Sequence, residues 1–268
     1  MKTNINAGLS GCKIEIINEI TIRKYSANHL YNNRLATQIE KQKVLWNKNF
    51  TSFNVPKVYN MYTEDIFYVD MEYILSESYD SYFSLISVHQ FQKIKSFFDE
   101  YFDNLIKEKD TYDSQEIKEK LLLKLNSFTN SNYKDLIDTL KNKVETTNYF
   151  KVPKSFCHGD LSLTNILFTN DKLYLIDFLD SYIDSYLIDF VKLKQDLHYK
   201  WALQNQKQND MKLYQTCTEL WNYIDSKFAN QVNCDIFKIL DYINWLRIEP
   251  YLKNMEQKTL LNKIICNI

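Results

Sequence analysis

The chain is 268 residues long, enough to bury a substantial core as one large domain or two modest lobes. Its 45% hydrophobic and 25% charged residues exclude a disordered chain, and 33 basic against 34 acidic residues exclude the basic excess of a nucleic-acid binder. Five cysteines without CxxC spacing and four dispersed histidines argue against a zinc site or a disulfide framework, and for a reducing cytoplasm.

The first segment, Leu9-Ser10-Gly11-Cys12, looks like a lipoprotein cleavage box, but the preceding MKTNINAG has no apolar stretch to go with it. KIEII (13–17) and EITIRKYS (19–26) then read as two strands of a hairpin turning at Asn18-Glu19. From residue 28 to 48 the apolar spacing of Leu30, Leu35, Ile39 and Leu45 predicts a helix. Asn49-Phe50-Thr51 fits a glycosylation pattern that, with no export signal, is read as chance. Val55-Pro56 breaks the chain, and KVYNMY and IFYVDMEYI predict two further strands. Strand, strand, helix, strand, strand makes a small α+β lobe over 1–74.

After Ile74 the pattern turns helical, over 84–108, 114–126 and 132–147. The stretch from 151 to 178 reads as a Pro-marked entry, a loop and two short strands around Asn170-Asp171, and the rest is again helical. Residues 75–268 thus form a larger helical lobe with a hairpin embedded in it. No apolar run approaches the ~20 residues needed to span a bilayer.

The hairpin carries the chemistry. His158-Gly159-Asp160 is followed by Asn165, five residues beyond Asp160, and Asp177-Phe178 lies on the second arm. Phosphoryl transfer needs a carboxylate to accept a hydroxyl proton, metal ligands that bridge phosphates, and rigid placement of both. Asp160 fits the base and Asn165 a metal ligand in the pattern H-x-D-x-x-x-x-N, and Asp177 fits the metal-binding Asp of D-F-G. The hairpin folds the 12-residue separation of Asn165 and Asp177 back on itself, so that both can face one Mg²⁺.

These motifs resemble those of the aminoglycoside phosphotransferase and choline kinase superfamily, whose fold is similar to that of protein kinases. The resemblance covers nearly the whole chain and is strongest over 158–190. It implies a bilobal protein-kinase-like α+β fold, with an antiparallel sheet in the N-terminal lobe and a mostly helical C-terminal lobe. It also implies a Mg²⁺-dependent kinase using ATP, or GTP, to phosphorylate a small molecule in the cytoplasm. Asp177-Phe178-Leu179 lacks the Gly of D-F-G, as is usual in the superfamily, and Asp189 matches a further acid taken as structural.

The N-terminal lobe supplies the facing half of the site. Gly8, Ser10 and Gly11 lie where a phosphate-covering loop is expected, and Ser10 is a candidate donor to a phosphate. Mapping V-A-I-K onto Thr21-Ile22-Arg23-Lys24 puts Ile22 over the adenine and Lys24 toward the phosphates, unless a shift of register gives Arg23 that role. Gln38 and Glu40 are the two candidates to pair with Lys24 from the following helix. Backbone groups of Glu72 and Ile74 are expected to read the adenine edge as a hinge.

The acceptor is expected beside Asp160, where DYINWLRIEPYL offers Trp245 and Arg247. A sugar or an amino alcohol of the choline or ethanolamine kind, in cell-surface glycan metabolism, is the reading the resemblance favours. An aminoglycoside is the alternative, and a non-catalytic nucleotide-binding regulator a third. No membrane span or nucleic-acid partner is expected.

Overall fold

The structure is a computed structural model that describes residues 4–6, 11–63, 65–108, 110–205, 210–228 and 234–266. It is α+β and divides into two compact units, one made of Met1–Glu100 with Thr164–Asp180, the other of Tyr101–Leu163 with Ser181–Ile268. This is a different division from 1–74 and 75–268. The hairpin read as part of the helical lobe belongs to the sheet-bearing unit.

The first unit is built on strands β1 (Asn4–Asn6), β2 (Lys13–Asn18), β3 (Thr21–Tyr25), β5 (Val58–Tyr62) and β6 (Tyr68–Glu72), in the antiparallel order β1-β2-β3-β6-β5. Asn18 sets the first turn, its side-chain oxygen accepting from the Ile20 amide at 3.0 Å. The register shifts between Ile16 and Asn18, a bulge that leaves Ile17 exposed. Helix α1 (Asn32–Trp46) lays Leu35 and Ile39 onto Phe67, Val69 and Met71. Burying each such aliphatic side chain contributes roughly 1.5–3 kcal/mol.

A second, three-stranded sheet orders β4 (Phe53–Asn54), β8 (Leu173–Leu175) and β7 (Ile166–Phe168), with β4 parallel to β8. This pairing fixes the hairpin within the first unit. Phe168 packs its ring tilted against Tyr82 and edge-on to Phe83 of the short helix α2 (Tyr79–Ser84), at ring distances of 4.9 and 5.3 Å, and its carbonyl accepts the Glu77 amide at 2.9 Å. Phe53 meets Phe97 of helix α3 (Val88–Ile106) edge-on at 5.1 Å. Glu100 accepts from the amides and hydroxyls of Thr51 and Ser52, which satisfies the loop that leads into β4.

The second unit is helical: the end of α3, then α4 (Ser114–Asn126), α5 (Lys134–Thr146), α6 (Tyr186–Leu193), α7 (Met211–Phe228), α8 (Cys234–Ile248) and α9 (Met255–Ile265). Asp113, Ser185 and Asn254 cap α4, α6 and α9 with side-chain oxygens, as short polar residues before an apolar run predict. A π-helical turn, Lys194–His198, follows α6. Phe102, Phe190, Trp221 and Phe228 form an aromatic core across α3, α6 and α7. Among the described residues no helix is long and apolar enough to cross a membrane.

Candidate active site

In the first unit, a cavity of about 310 Å³ opens on the sheet, within the range of small-molecule pockets. Ile14, Ile22, Met71, Leu167 and Ile176 give it apolar walls suited to a flat ring, and Glu72 and Ile74 lie along its edge. Glu72 is held in the sheet, its amide donating to the Lys57 carbonyl at 2.8 Å and its carboxylate accepting from the Lys57 amide at 3.1 Å.

Lys24 and Asp177 form the polar end. Lys24 is 7% exposed and its Nζ meets Asp177 Oδ1 at 2.6 Å. Burial by itself lowers the pKa of a lysine, but the attraction of Asp177 outweighs it and the pKa is raised. Arg23, next in the strand, projects to the opposite face. There it forms two bonds to Asp70, its cross-strand partner, at 2.6 and 2.8 Å, with its guanidinium 4.4 Å from the Tyr68 ring centre.

The partner of Lys24 is therefore Asp177, and neither candidate on α1 takes that place. Glu40 is exposed and pairs with Lys43 at 2.9 Å. Gln38 is buried in the cavity wall and donates to the Tyr31 hydroxyl at 3.3 Å. One carboxylate within reach of the buried ammonium satisfies it without an acid from the helix. Gly8 and Ser10 lie outside the described residues. Gly11, with φ +72°, adopts a conformation that L side chains rarely take, and a Cβ there would stand 3.3 Å from the Ala27 Cβ.

Asn165 and Asp177 close the hairpin. Asn165 precedes the Ile166–Leu175 pair, and its carbonyl accepts the Ile176 amide at 3.1 Å. Asp177 itself sits at φ +60°, a backbone state uncommon outside Gly, Asn and Asp. Two hard oxygen donors, with the Asp177 side chain 43% exposed, fit a Mg²⁺ ion that keeps most of its coordination for phosphate oxygens and water. Among the described residues no cluster of three or more His, Cys, Asp or Glu offers an all-protein metal cage.

The second unit holds the candidate loop residues His158, Gly159 and Asp160. His158 is buried and Gly159 has φ +83°. Asp189, also fully buried, accepts the amides of His158 at 2.8 Å and Gly159 at 2.9 Å, and the Tyr101 hydroxyl at 2.7 Å. This gives Asp189 a clamping role, since three donors satisfy a carboxylate that burial would otherwise make costly. Asp196, in the π-helical turn, accepts the Leu163 amide at 2.9 Å and fixes the other end of the loop. Burial pushes the Asp196 carboxyl up to about 6, against the Leu163 hydrogen bond and Lys192. Replacing Gly159 by Ala imposes a left-handed backbone on a residue with a Cβ, so we expect a loss of about 1–2 kcal/mol in urea unfolding.

Between those anchors, Lys192 Nζ stands 3.0 Å and Arg247 Nη2 3.1 Å from the same oxygen, Oδ1 of Asp160. Burial favours the neutral acid, but Lys192 first and Arg247 next hold the Asp160 carboxyl well below the usual carboxylate range. Lys192 is 6% exposed, and its pKa is lowered by burial despite Asp160. Residues 189, 192 and 196 thus place a clamp, a cation and a second clamp along one helical segment. Sequence reading identified Asp189 only. The i, i+3, i+7 spacing was the available signal for the other two.

Removal of Lys192 makes a directional pH prediction. A depressed carboxyl is ionised, and stabilises the fold, above its unfolded value of about 3.9, and that contribution is lost as pH falls through the lower folded value. In Lys192→Met the strongest opposing charge is gone, so Asp160 protonates at higher pH. The acid limb of kcat/KM should move in the alkaline direction; an unmoved limb would mean that Lys192 does not set the ionisation of Asp160.

Trp245 is placed elsewhere. It is fully buried, edge-on to Tyr199 and Trp201 at 5.3 and 5.5 Å, and packed with Ile248, Leu261 and Ile264. It is a core residue and presents no face to an acceptor. An apolar aromatic two residues from Arg247 on a helix falls on a different face, and here that face is the packed one.

The model of the phosphotransferase enzyme family matches residues 33–221. None of the curated proteins matches the sequence. Among solved structures, the GDP and kanamycin complex of APH(2")-IIia is similar with a TM-score of 0.67 at 14% identity, over 100% of this chain and 93% of that one. The streptomycin–ATP complex of APH(2")-IIa is similar with a TM-score of 0.57 at 18% identity, over 92% and 84%. A glucosamine kinase with glucosamine, ADP and inorganic phosphate gives 0.56 at 11%, over 97% and 73%. At these identities the likeness is one of fold.

Proposed function

Because the chain belongs to the phosphotransferase enzyme family and is a small-molecule phosphotransferase, we propose that it moves the γ-phosphoryl group of Mg-bound ATP to a hydroxyl of a sugar or amino alcohol. The observation that carries this reading is the Lys24–Asp177 pair at the polar end of an apolar cavity of about 310 Å³. Such a cavity suits a purine, and a buried lysine at its polar end suits the phosphates. GTP is the alternative donor. Asn165 and Asp177 would hold the metal, which when bound would neutralise charge developing in the transfer.

The remaining steps belong to side chains. Lys24 binds and orients the phosphates, and Asp177 keeps that ammonium charged and aimed. Asp160, ionised, accepts the proton of the acceptor hydroxyl as transfer proceeds. Asp189 and Asp196 hold the loop that presents Asp160. Among neighbours in fold, a glucosamine kinase holds glucosamine, ADP and inorganic phosphate, and others hold kanamycin or streptomycin. Two cations on Asp160 disfavour a polycation there, which argues for the sugar over the aminoglycoside.

The test is ADP or GDP release with Mg²⁺ and each of choline, ethanolamine, common sugars and aminoglycosides, with ³¹P NMR of the product. A new phosphomonoester that requires acceptor, nucleotide and Mg²⁺ together is expected. Mg-nucleotide binding with no transfer to any hydroxyl would favour the non-catalytic regulator, and no nucleotide binding would overturn the reading.

A further inference from the structure

The cavity of the first unit has mostly apolar walls, yet two amide side chains of α1 belong to its lining. Gln38 and Gln42, one turn apart on the same helix face, both border the cavity and are 4% and 3% exposed. An amide carries donors at one end and an acceptor at the other, and a buried end left unmatched is costly. The end of each amide that meets the cavity therefore decides what a ligand must present to it.

For Gln42 that end is fixed by chemistry. Its Nε2 donates to the Pro56 carbonyl at 2.6 Å, and a carbonyl can only accept. Turning the amide over would set oxygen against oxygen, so Oε1 must be the end left over. Among the described residues no group donates to that oxygen. The fully enclosed side-chain atoms without a partner are, among the described residues, Tyr82 Oη, Asp241 Oδ1 and Trp245 Nε1. Gln42 Oε1 is not one of them, so it keeps access to the cavity that its residue borders. Gln38 has no such constraint. Its Nε2 donates to the Tyr31 hydroxyl at 3.3 Å, and a hydroxyl can serve either end of an amide. Of the two, Gln42 alone presents a fixed polarity.

Gln42 also stands at the Glu72 end of the cavity's edge. Its partner Pro56 precedes Lys57, whose carbonyl accepts the Glu72 amide at 2.8 Å. Two residues beyond Glu72, the Ile74 amide donates to no described group. The edge thus offers a donor at Ile74 and an acceptor at Gln42. Adenine matches that order, with N1 as acceptor beside a donating 6-amino group. Guanine reverses it, with a donating N1–H beside the accepting O6.

We propose that Gln42 is a specificity residue that selects an adenine nucleotide. Its Oε1 accepts from the 6-amino group of ATP, directly or through one water, and sets a second acceptor against the O6 of GTP. The proposal rests on the phosphotransferase reading and narrows its donor to ATP.

The experiment is calorimetry on the full chain with Mg²⁺ and each of ATP, GTP and purine riboside triphosphate, which carries hydrogen in place of the 6-amino group. We expect ATP to bind at least about ten-fold tighter than either, the scale of a buried acceptor left unmatched. Gln42→Met keeps the length of the side chain and removes the acceptor. It also strands the Pro56 carbonyl, a loss common to every nucleotide, so the ratio of affinities is what is read. In that variant the preference for ATP over purine riboside triphosphate should shrink by at least about three-fold. Equal losses for the two nucleotides in Gln42→Met, or wild-type affinity for GTP equal to that for ATP, overturns the inference. If Gln42→Met binds no nucleotide, the wild-type series decides: ATP tightest of the three supports the inference, and any other order overturns it. Failure of the phosphotransferase reading looks different. ATP bound with this preference but transferred to no hydroxyl would remove that reading and leave the inference, and transfer from GTP as readily as from ATP would do the reverse.

Discussion

Asp160→Asn is expected to keep Mg-nucleotide affinity within about two-fold of wild type while lowering kcat by roughly 10²–10⁴, the usual contribution of a positioned general base. Asn has the shape of Asp but cannot take the hydroxyl proton. Nucleotide affinity should hold because Lys24 and Asp177 line the cavity and Asp160 does not. The substitution also strips Lys192 of its charged partner, and a buried unpaired charge costs about 3–5 kcal/mol. Asp160→Asn with Lys192→Met removes that penalty, so the double variant should melt near wild type and remain inactive. Wild-type turnover in either protein would end the assignment of Asp160 as the base.

Asp177→Asn is the second large effect. The amide keeps a residue that tolerates φ +60° but removes the charge that holds Lys24 and would hold Mg²⁺. Affinity for Mg-ATP, measured by calorimetry, should fall by at least about ten-fold, while affinity for ATP in excess chelator changes far less. Asp177→Ala should add a stability loss, because Ala is strained in the left-handed region and Lys24 is left buried without its partner. Unchanged Mg-dependent affinity in Asp177→Asn would show that the carboxylate is not a metal ligand.

Much of the fold was legible in local pattern. Alternation in 13–17 and 19–26 marked β2 and β3, and the 3.6-residue spacing of Leu35, Ile39 and Leu45 marked α1, because a strand or helix exposes its period directly. Positions 114–126 match α4 to the residue, with Asp113 as its cap. The candidate site was legible where its parts are close in sequence. His158, Asp160 and Asn165 share one loop, and Asp177 returns on the hairpin that the loop begins.

What the sequence by itself determined, then, is the set of elements and the candidate chemistry of the loop, since both are written in spacings of a dozen residues or fewer. Tertiary structure decided who meets whom. It gave Lys24 the distant Asp177 in place of a helix acid, turned Arg23 onto Asp70, withdrew Trp245 into the core, and moved the hairpin into the sheet-bearing unit. It also brought Lys192 and Arg247 to one oxygen of Asp160, the latter from 87 residues away. Those choices depend on which faces are buried and how far each charge is stripped of water, and both are properties of the packed chain.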